Sequence, residues 1–312
     1  MALENRSPTS WHWLPEDPAV ATTAVEENQT AFEFVQSLAV ELSSGRVDLP
    51  TCQEVATRVH HALDEDDLSN TLVARVIASD AGLAANVLAL ANRKTASRDA
   101  KPLTDLKVAV TRVGPDNVRS AALPYVLGKI RSAQTHAHLS ADLAALWERS
   151  TLVATIARAI AVRTGAAAPD VALLAGLLHN IGSVYLLARA DKHVALFRTA
   201  ATRDVLMHDW QAPIGKAIAQ NWGLPDVIAD AIGEQDQVDR HDAGARDLTD
   251  VLCVAVRSAA FFGHPDELEI ALGSLPLFGR LAMNLRTLHQ VMDAAAAEIQ
   301  GLRLALGVAA QP

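Results

Sequence analysis

The chain has 312 residues, half of them hydrophobic but only 4% aromatic, and a formal net charge of −9. That length allows one large or two moderate domains with substantial cores. The acidic balance, with no clustered Lys and Arg stripe, argues against a nucleic-acid partner, and two widely separated cysteines, Cys52 and Cys253, give no disulfide framework and fit a reducing cytosol.

Residues 1–29 combine Pro8, Pro15 and Pro18 with Trp11-His12-Trp13 and no sustained period, which predicts a poorly ordered arm. Met1 to Pro15 lacks the basic and apolar regions of a signal peptide, so export is not expected. From Ala31 onward helical periodicity is nearly continuous, and a composition dominated by Ala and Leu favours helices over sheets. Phe34, Leu38, Val40 and Leu42 outline a first helix closed by Ser43-Ser44-Gly45. Leu49-Pro50 opens a second, near Thr51 to Leu63, and the acidic run 64–67 reads as a solvated loop before a helix start at Ser69. Leu72, Val73, Val76 and Ile77 then face inward, Asp80 to Gly82 makes a turn, and Leu83, Val87, Leu88 and Leu90 carry the next helix to Asn92. Asn92, which tolerates left-handed backbone, is expected to cap that helix end. A polar loop covers 93–102, Leu106, Val110 and Val113 lead to Gly114, and Pro115 restarts a helix.

Leu143 to Arg163 reads as one long helix ending at Gly165, with Leu146, Ser150, Val153, Ile156, Ala157 and Ile160 on its inner face. Pro169-Asp170 starts the helix that reaches His179-Asn180, where two polar side chains interrupt an apolar run and Gly182 is expected to act as the stop. Val171 to Ala188 is apolar and about long enough for a membrane span. With His179, Asn180, Gly182 and Ser183 at its middle, a buried helix that breaks at glycine is the better reading, and no membrane partner is expected. Shorter helices follow around Leu186 and Leu187, around Val194, Leu196 and Phe197, and from Trp210 to Gln220. Trp222-Gly223-Leu224-Pro225 is a corner into a helix from Asp226, and Val251 to Phe262 and Leu281 to Leu306 complete the set. With no convincing strand pairs the fold class is all-α. His60-His61 and His136-Ala137-His138 read as surface histidines, because helical neighbours point apart and no Cys, Asp or Glu set completes a metal site. No phosphate-cradling glycine loop and no Gly-x-Ser-x-Gly elbow occurs.

Three stretches resemble the HDOD family, regulatory relatives of the HD-domain phosphohydrolases. The first is Leu49-Pro50 with the run 77–92 (IASDAGLAANVLALAN) and the helix end 109–114. The second is Leu146-Trp147-Glu148-Arg149-Ser150 with Gly176-Leu177-Leu178-His179-Asn180-Ile181-Gly182, and the third is Trp222-Gly223-Leu224-Pro225. Together they cover roughly residues 45–262, and their order and spacing carry the likeness more than any one of them. The resemblance implies a helical N-terminal subdomain, about 30–132, packed on an HD-like helical bundle, 133–312, with Ser132 to Ser140 as the joint.

It also implies where a metal site would stand. In HD-type phosphohydrolases a histidine precedes a serine on the long helix, a His-Asp pair follows, and a last aspartate closes the site. Here Arg149 precedes Ser150, His179-Asn180 stands at the pair, and the last position falls at Arg257, with Val256 as the alternative. An amide is uncharged and a poor ligand, and a guanidinium offers donors only, so one of four ligands survives. Without a metal to acidify water no hydroxide forms by this route. The family often shows Asn-Ser where this chain has Asn92-Arg93, and His-His where it has Glu234-Gln235. The expectation is a non-catalytic bacterial signalling module in the cytosol, without cofactor or metal, that acts on other signalling proteins. His179 is then a buried, hydrogen-bonded core histidine. Two other readings stay open: a residual metal-dependent phosphohydrolase, and a sensor in which Arg149 and Arg257 converge on a small phosphorylated ligand.

Overall fold

The computed structural model describes residues 33, 34, 36–38, 40, 41, 70–78, 80–93, 103–114, 118, 122, 139–190, 200–222, 224–240, 245–264, 266–268 and 276–305. The N-terminal arm with Trp11 and Trp13, Leu42 to Gly45, Cys52, the helix expected at Thr51 to Leu63, the acidic run 64–67 and Pro115 lie outside the described residues. So do the histidines at 60, 61, 136 and 138, the joint 132–138, Val194, Leu196, Phe197, Gly223 and Leu306.

No strand occurs among the described residues, and the chain folds into helices as its apolar periodicity predicts. They are α1 (Asn70–Ile77), α2 (Ala81–Arg93), α3 (Leu106–Val113), α4 (Ser140–Thr164), α5 (Pro169–Leu178), α6 (Ile181–Leu187), α7 (Ala200–Asn221), α8 (Asp226–Gly233), α9 (Leu248–Ala259), α10 (Pro276–Arg280) and α11 (Leu285–Ala305). Local chemistry sets many of the ends. The Asp80 carboxylate accepts from the Leu83 amide at 2.7 Å and starts α2, and Asp105 does the same for α3 through Val108 at 3.0 Å. Gly165 closes α4 in the left-handed conformation, φ 65°, and Pro169 occupies the first turn of α5. Asp247 and Asp250 form a reciprocal capping box at the start of α9.

Helix α4 is the spine: α5, α9 and α11 all pack along it. On the far side α7 covers α6 and α8, while α8 and α9 both reach α5. The N-terminal helices α1 to α3 pack on one another and join the bundle through α2 against α5 and α1 against α11. Buried Val73, Val76 and Ile77 of α1, Leu83, Val87 and Leu88 of α2 and Ile156 and Ile160 of α4 belong to one apolar core. The α4–α5 crossing is tight because position 176 has no side chain: a Cβ on Gly176 would lie 2.4 Å from the Ala154 Cα.

Several expectations are corrected. Val40 is 68% exposed, so the first helix buries Phe34 and Leu38 without it. Asn92 does not cap its helix; the helix runs to Arg93, and the Asn92 amide instead straps the following segment, accepting from the Leu103 amide at 2.6 Å and donating to its carbonyl at 3.1 Å. The apolar run at 171–188 breaks at His179-Asn180, two residues before the glycine, and Gly182 sits inside α6, where a Cβ would meet the Gln211 carbonyl oxygen of α7 at 2.0 Å. Its role is close packing: the missing side chain lets α7 approach α6, and the helix does not stop there. Helix α7 begins at Ala200, before the expected start at Trp210, and carries Pro213 inside it. The last helix starts at Leu285 and not at the expected Leu281: Ala282, φ 52°, lies between α10 and α11, and the Asn284 side chain caps α11 through the Thr287 amide at 2.9 Å. The stretch Pro169–Leu187 meets the length and composition of a membrane span, yet 78% of its apolar window is buried against the other helices.

Candidate functional site

Of the positions singled out from the sequence, all but Arg257 lie where the middle of α4, the α5–α6 turn and the turn after α8 meet. Helix α4 carries Arg149 and Ser150, the turn carries His179 and Asn180, and Gln235 and Asp236 follow α8. Spacing along α4 puts Leu146 and Ser150 one turn apart, so a backbone carbonyl and a hydroxyl face the same neighbour.

That neighbour is Asn180. Its side-chain oxygen accepts from the Ser150 hydroxyl at 2.6 Å, and its amide nitrogen donates to the Leu146 carbonyl at 2.9 Å. Asn180 is only 4% exposed, so both bonds form away from bulk water. An amide suits this pair of partners because it offers one acceptor and one donor group; a carboxylate would set a second oxygen against the carbonyl.

His179 is buried and its Nδ1 lies 2.7 Å from the Gly176 carbonyl oxygen. A carbonyl can only accept, so Nδ1 carries the proton and Nε2 is a bare acceptor with no partner among the described residues. Burial, reinforced by the charge of Arg149 and partly opposed by the Gly176 bond, lowers the imidazole pKa to about 3, and the ring stays neutral. The Gln235 side chain is fully buried and donates to the His179 carbonyl at 2.8 Å and the Ile232 carbonyl at 2.9 Å; its oxygen is a second acceptor without a partner among the described residues. On α9 the Cys253 thiol closes the same region, directed at the Glu234 and Gln237 carbonyls at 3.4 and 3.7 Å. Burial raises its pKa to about 12, which keeps it protonated and unreactive.

Arg149 stands beside this group, half-buried, with no hydrogen bond or ion pair among the described residues. Burial draws its guanidinium below the ordinary value and the nearby Asp236 charge partly offsets that. Arg257 is exposed on the last turn of α9, and Val256 beside it is buried. The structure therefore brings His179, Asn180 and Arg149 together; Arg257 shares no hydrogen bond or ion pair with them among the described residues.

These residues do not fit a metal ion. The Asn180 oxygen is taken by Ser150, the His179 imidazole is a single neutral donor, and a guanidinium beside it repels a cation. Among the described residues no group of three or more His, Cys, Asp or Glu side chains converges on a point. Gln235, which in sequence stands only in the place of a family histidine, is a buried member of this site. Ile228 and Ile232 are buried on α8, and Gln235 continues the same face at helical spacing, a signal that could have placed it inside.

The domain description HDOD matches residues 49–238. An uncharacterized protein of Treponema pallidum (strain Nichols) is 27% identical over 233 residues, covering 70% of this chain and 44% of that protein, so the chain spans under half the length of this relative. Among solved structures, the MmoQ response regulator of Methylococcus capsulatus str. Bath is 24% identical with a TM-score of 0.60, covering 78% of this chain and 98% of the other. A fragment of the same regulator gives 23% and 0.55, covering 79% and 94%. At these identities the likeness shows a shared helical fold.

Proposed function

Because this chain belongs to the HDOD domain family, an HD-related group of helical modules, we propose that it is a non-catalytic signal-transduction module that acts by binding other proteins. The observation that carries the proposal is the Asn180 amide held between Ser150 and Leu146. At a position where the family resemblance calls for a metal-binding carboxylate, the side chain is spent on joining helices. Gln235 and Cys253 extend the same use of polar groups to α8 and α9. A response regulator with a similar fold supports a signalling context, and a buried, protonated thiol suits a cytosolic setting. The test is hydrolysis of phosphomonoester and phosphodiester substrates with added manganese, iron or zinc. The expected result is no turnover above that of the His179→Ala variant; metal-dependent turnover lost in that variant would reject the proposal.

Arg149 favours a second reading, in which the chain senses a small phosphorylated molecule. A half-buried guanidinium without an ion-pair partner among the described residues is a receptor for an anion. Binding at a hundred times Kd would stabilise the fold by about 2.7 kcal/mol, which a thermal melt resolves. This reading expects a rise in Tm with one member of a phosphate and nucleotide panel, lost in Arg149→Ala; a flat panel would remove it.

A further inference from the structure

The family match begins at residue 49, yet a helix that precedes it is docked on the bundle. Among the described residues of that helix, within 33–41, Phe34 and Leu38 are buried and Glu41 is half-buried, while Glu33, Gln36, Ser37 and Val40 are exposed. The spacing puts Phe34, Leu38 and Glu41 on one face, so the helix lays two apolar side chains inward and ends that face on a carboxylate. Ser37 turns back on its own helix, its hydroxyl donating to the Phe34 carbonyl at 2.8 Å.

The receiving side is built at the C-terminal end of α6. Tyr185, 1% exposed, donates its hydroxyl to Glu41 Oε2 at 2.8 Å. The Arg189 guanidinium donates to the same oxygen and lies 3.6 Å over the Tyr185 ring. That stacking fixes the cation in place, and the Arg189 side chain is mostly enclosed. Burial, the largest cause, pushes the Tyr185 pKa up to about 12, so the hydroxyl stays a donor. Two donors aimed at one oxygen, one of them a cation, suit a carboxylate, and a guanidinium in this position repels an ammonium or a metal ion.

A helix of under three turns does not hold its shape alone in water, so its order depends on what it docks against. Among the described residues Phe34, Leu38 and Glu41 are its inward side chains, and an element held by few contacts opens before the rest of a bundle. We propose that residues 33–41 are an exchangeable occupant of a helix-receiving surface on α6, and that the partner this surface fits is an amphipathic helix carrying two apolar side chains and a carboxylate in the spacing of Phe34, Leu38 and Glu41. Opening of the chain's own helix takes the Glu41 carboxylate away from an enclosed guanidinium; a partner's acid restores the pairing while its apolar side chains replace Phe34 and Leu38. Helix α6 starts directly after Asn180, so the exchange takes place on the helix that the Ser150 and Leu146 contacts tie to α4. The proposal rests on the protein-binding reading for its class of partner, and it fails separately, because none of its measurements depends on hydrolysis or on metal.

The test uses the full chain, its Glu41→Gln and Tyr185→Phe variants, and a fluorescent peptide of residues 31–45. Hydrogen exchange is expected to accelerate about tenfold across residues 33–41 in both variants, with α4 and α5 unchanged. In anisotropy titrations the peptide is expected to bind the Glu41→Gln chain about tenfold more tightly than the wild-type chain, whose surface is filled. That advantage is lost when the peptide itself carries Glu41→Gln, or when the chain also carries Arg189→Gln. Unchanged exchange at 33–41 would overturn the proposal, and so would acceleration that spreads through α4 and α5, which would make the helix an inseparable part of the core. No peptide binding to any chain, equal binding to the wild-type and Glu41→Gln chains, or equal binding of the two peptides would overturn it as well.

Discussion

Asn180 decides between two chemistries with a single atom pair. Replacing its amide nitrogen by oxygen, Asn180→Asp, restores the acid that the HD pattern calls for, yet removes the donor to Leu146 and places a charge at a 4% exposed position. The expected cost is about 2 to 4 kcal/mol by urea denaturation, with no gain of metal binding, since one lost hydrogen bond and an unmatched buried charge both oppose folding. His179 gives a prediction of opposite kind, in pH. Its folded pKa of about 3 lies below the value of about 6.5 in an unfolded chain. As pH falls below 6.5 the unfolded state takes up a proton that the folded state refuses, so stability is present above that value and is lost progressively toward pH 3. Between pH 7 and pH 5 the loss from this group is about 2 kcal/mol, and His179→Gln should flatten the curve in that window. An unchanged slope would mean that the imidazole is not held neutral.

At the scale of elements, two features make the bundle sensitive to small changes. The α4–α5 crossing depends on Gly176, and Gly176→Ala puts a methyl group 2.4 Å from the Ala154 Cα, against backbone that cannot rotate away. Overpacking of this kind costs about 3 kcal/mol, and thermal unfolding would show it. The start of α9 depends on Asp250, fully buried, which accepts from Arg240 at 3.1 Å and from Arg280 of α10 at 3.0 Å. Asp250→Ala removes the buried carboxylate that Arg240 and Arg280 share, leaving Arg240 to Asp247, and is expected to destabilise by about 3 to 5 kcal/mol. The α4 and α5 limits were legible because their signals are local: a periodic apolar face, Gly165 past one end, Pro169 inside the other. Gly182 was not, because a glycine needed for approach of a distant chain looks the same in sequence as one that ends a helix. Asn92 misled for a related reason: its partner, Leu103, is set by a tertiary fold and not by its own helix.

At the scale of the molecule, the helical class and the HDOD relationship were readable because they rest on several ordered stretches, while the use of each site residue was not. Sequence could say that Asn180 is a poor ligand; it could not say that Ser150 and Leu146 hold it in place. Nor could it show that Arg149 sits beside His179 while Arg257 is turned to solvent, since those facts depend on how α4, α5 and α9 pack. The segment around Glu41 makes the same point: Tyr185 donates to its carboxylate at 2.8 Å, Arg189 pairs with it, and the guanidinium lies 3.6 Å over the Tyr185 ring, fastening the first described helix to α6. We propose that the positions where the family resemblance expects a metal site serve in this chain as a hydrogen-bonded joint between helices. Elemental analysis of the purified full chain after incubation with manganese, iron and zinc checks this. The expected result is no stoichiometric metal in the wild-type protein and no change in His179→Ala; one metal per chain, lost with His179, would overturn the proposal.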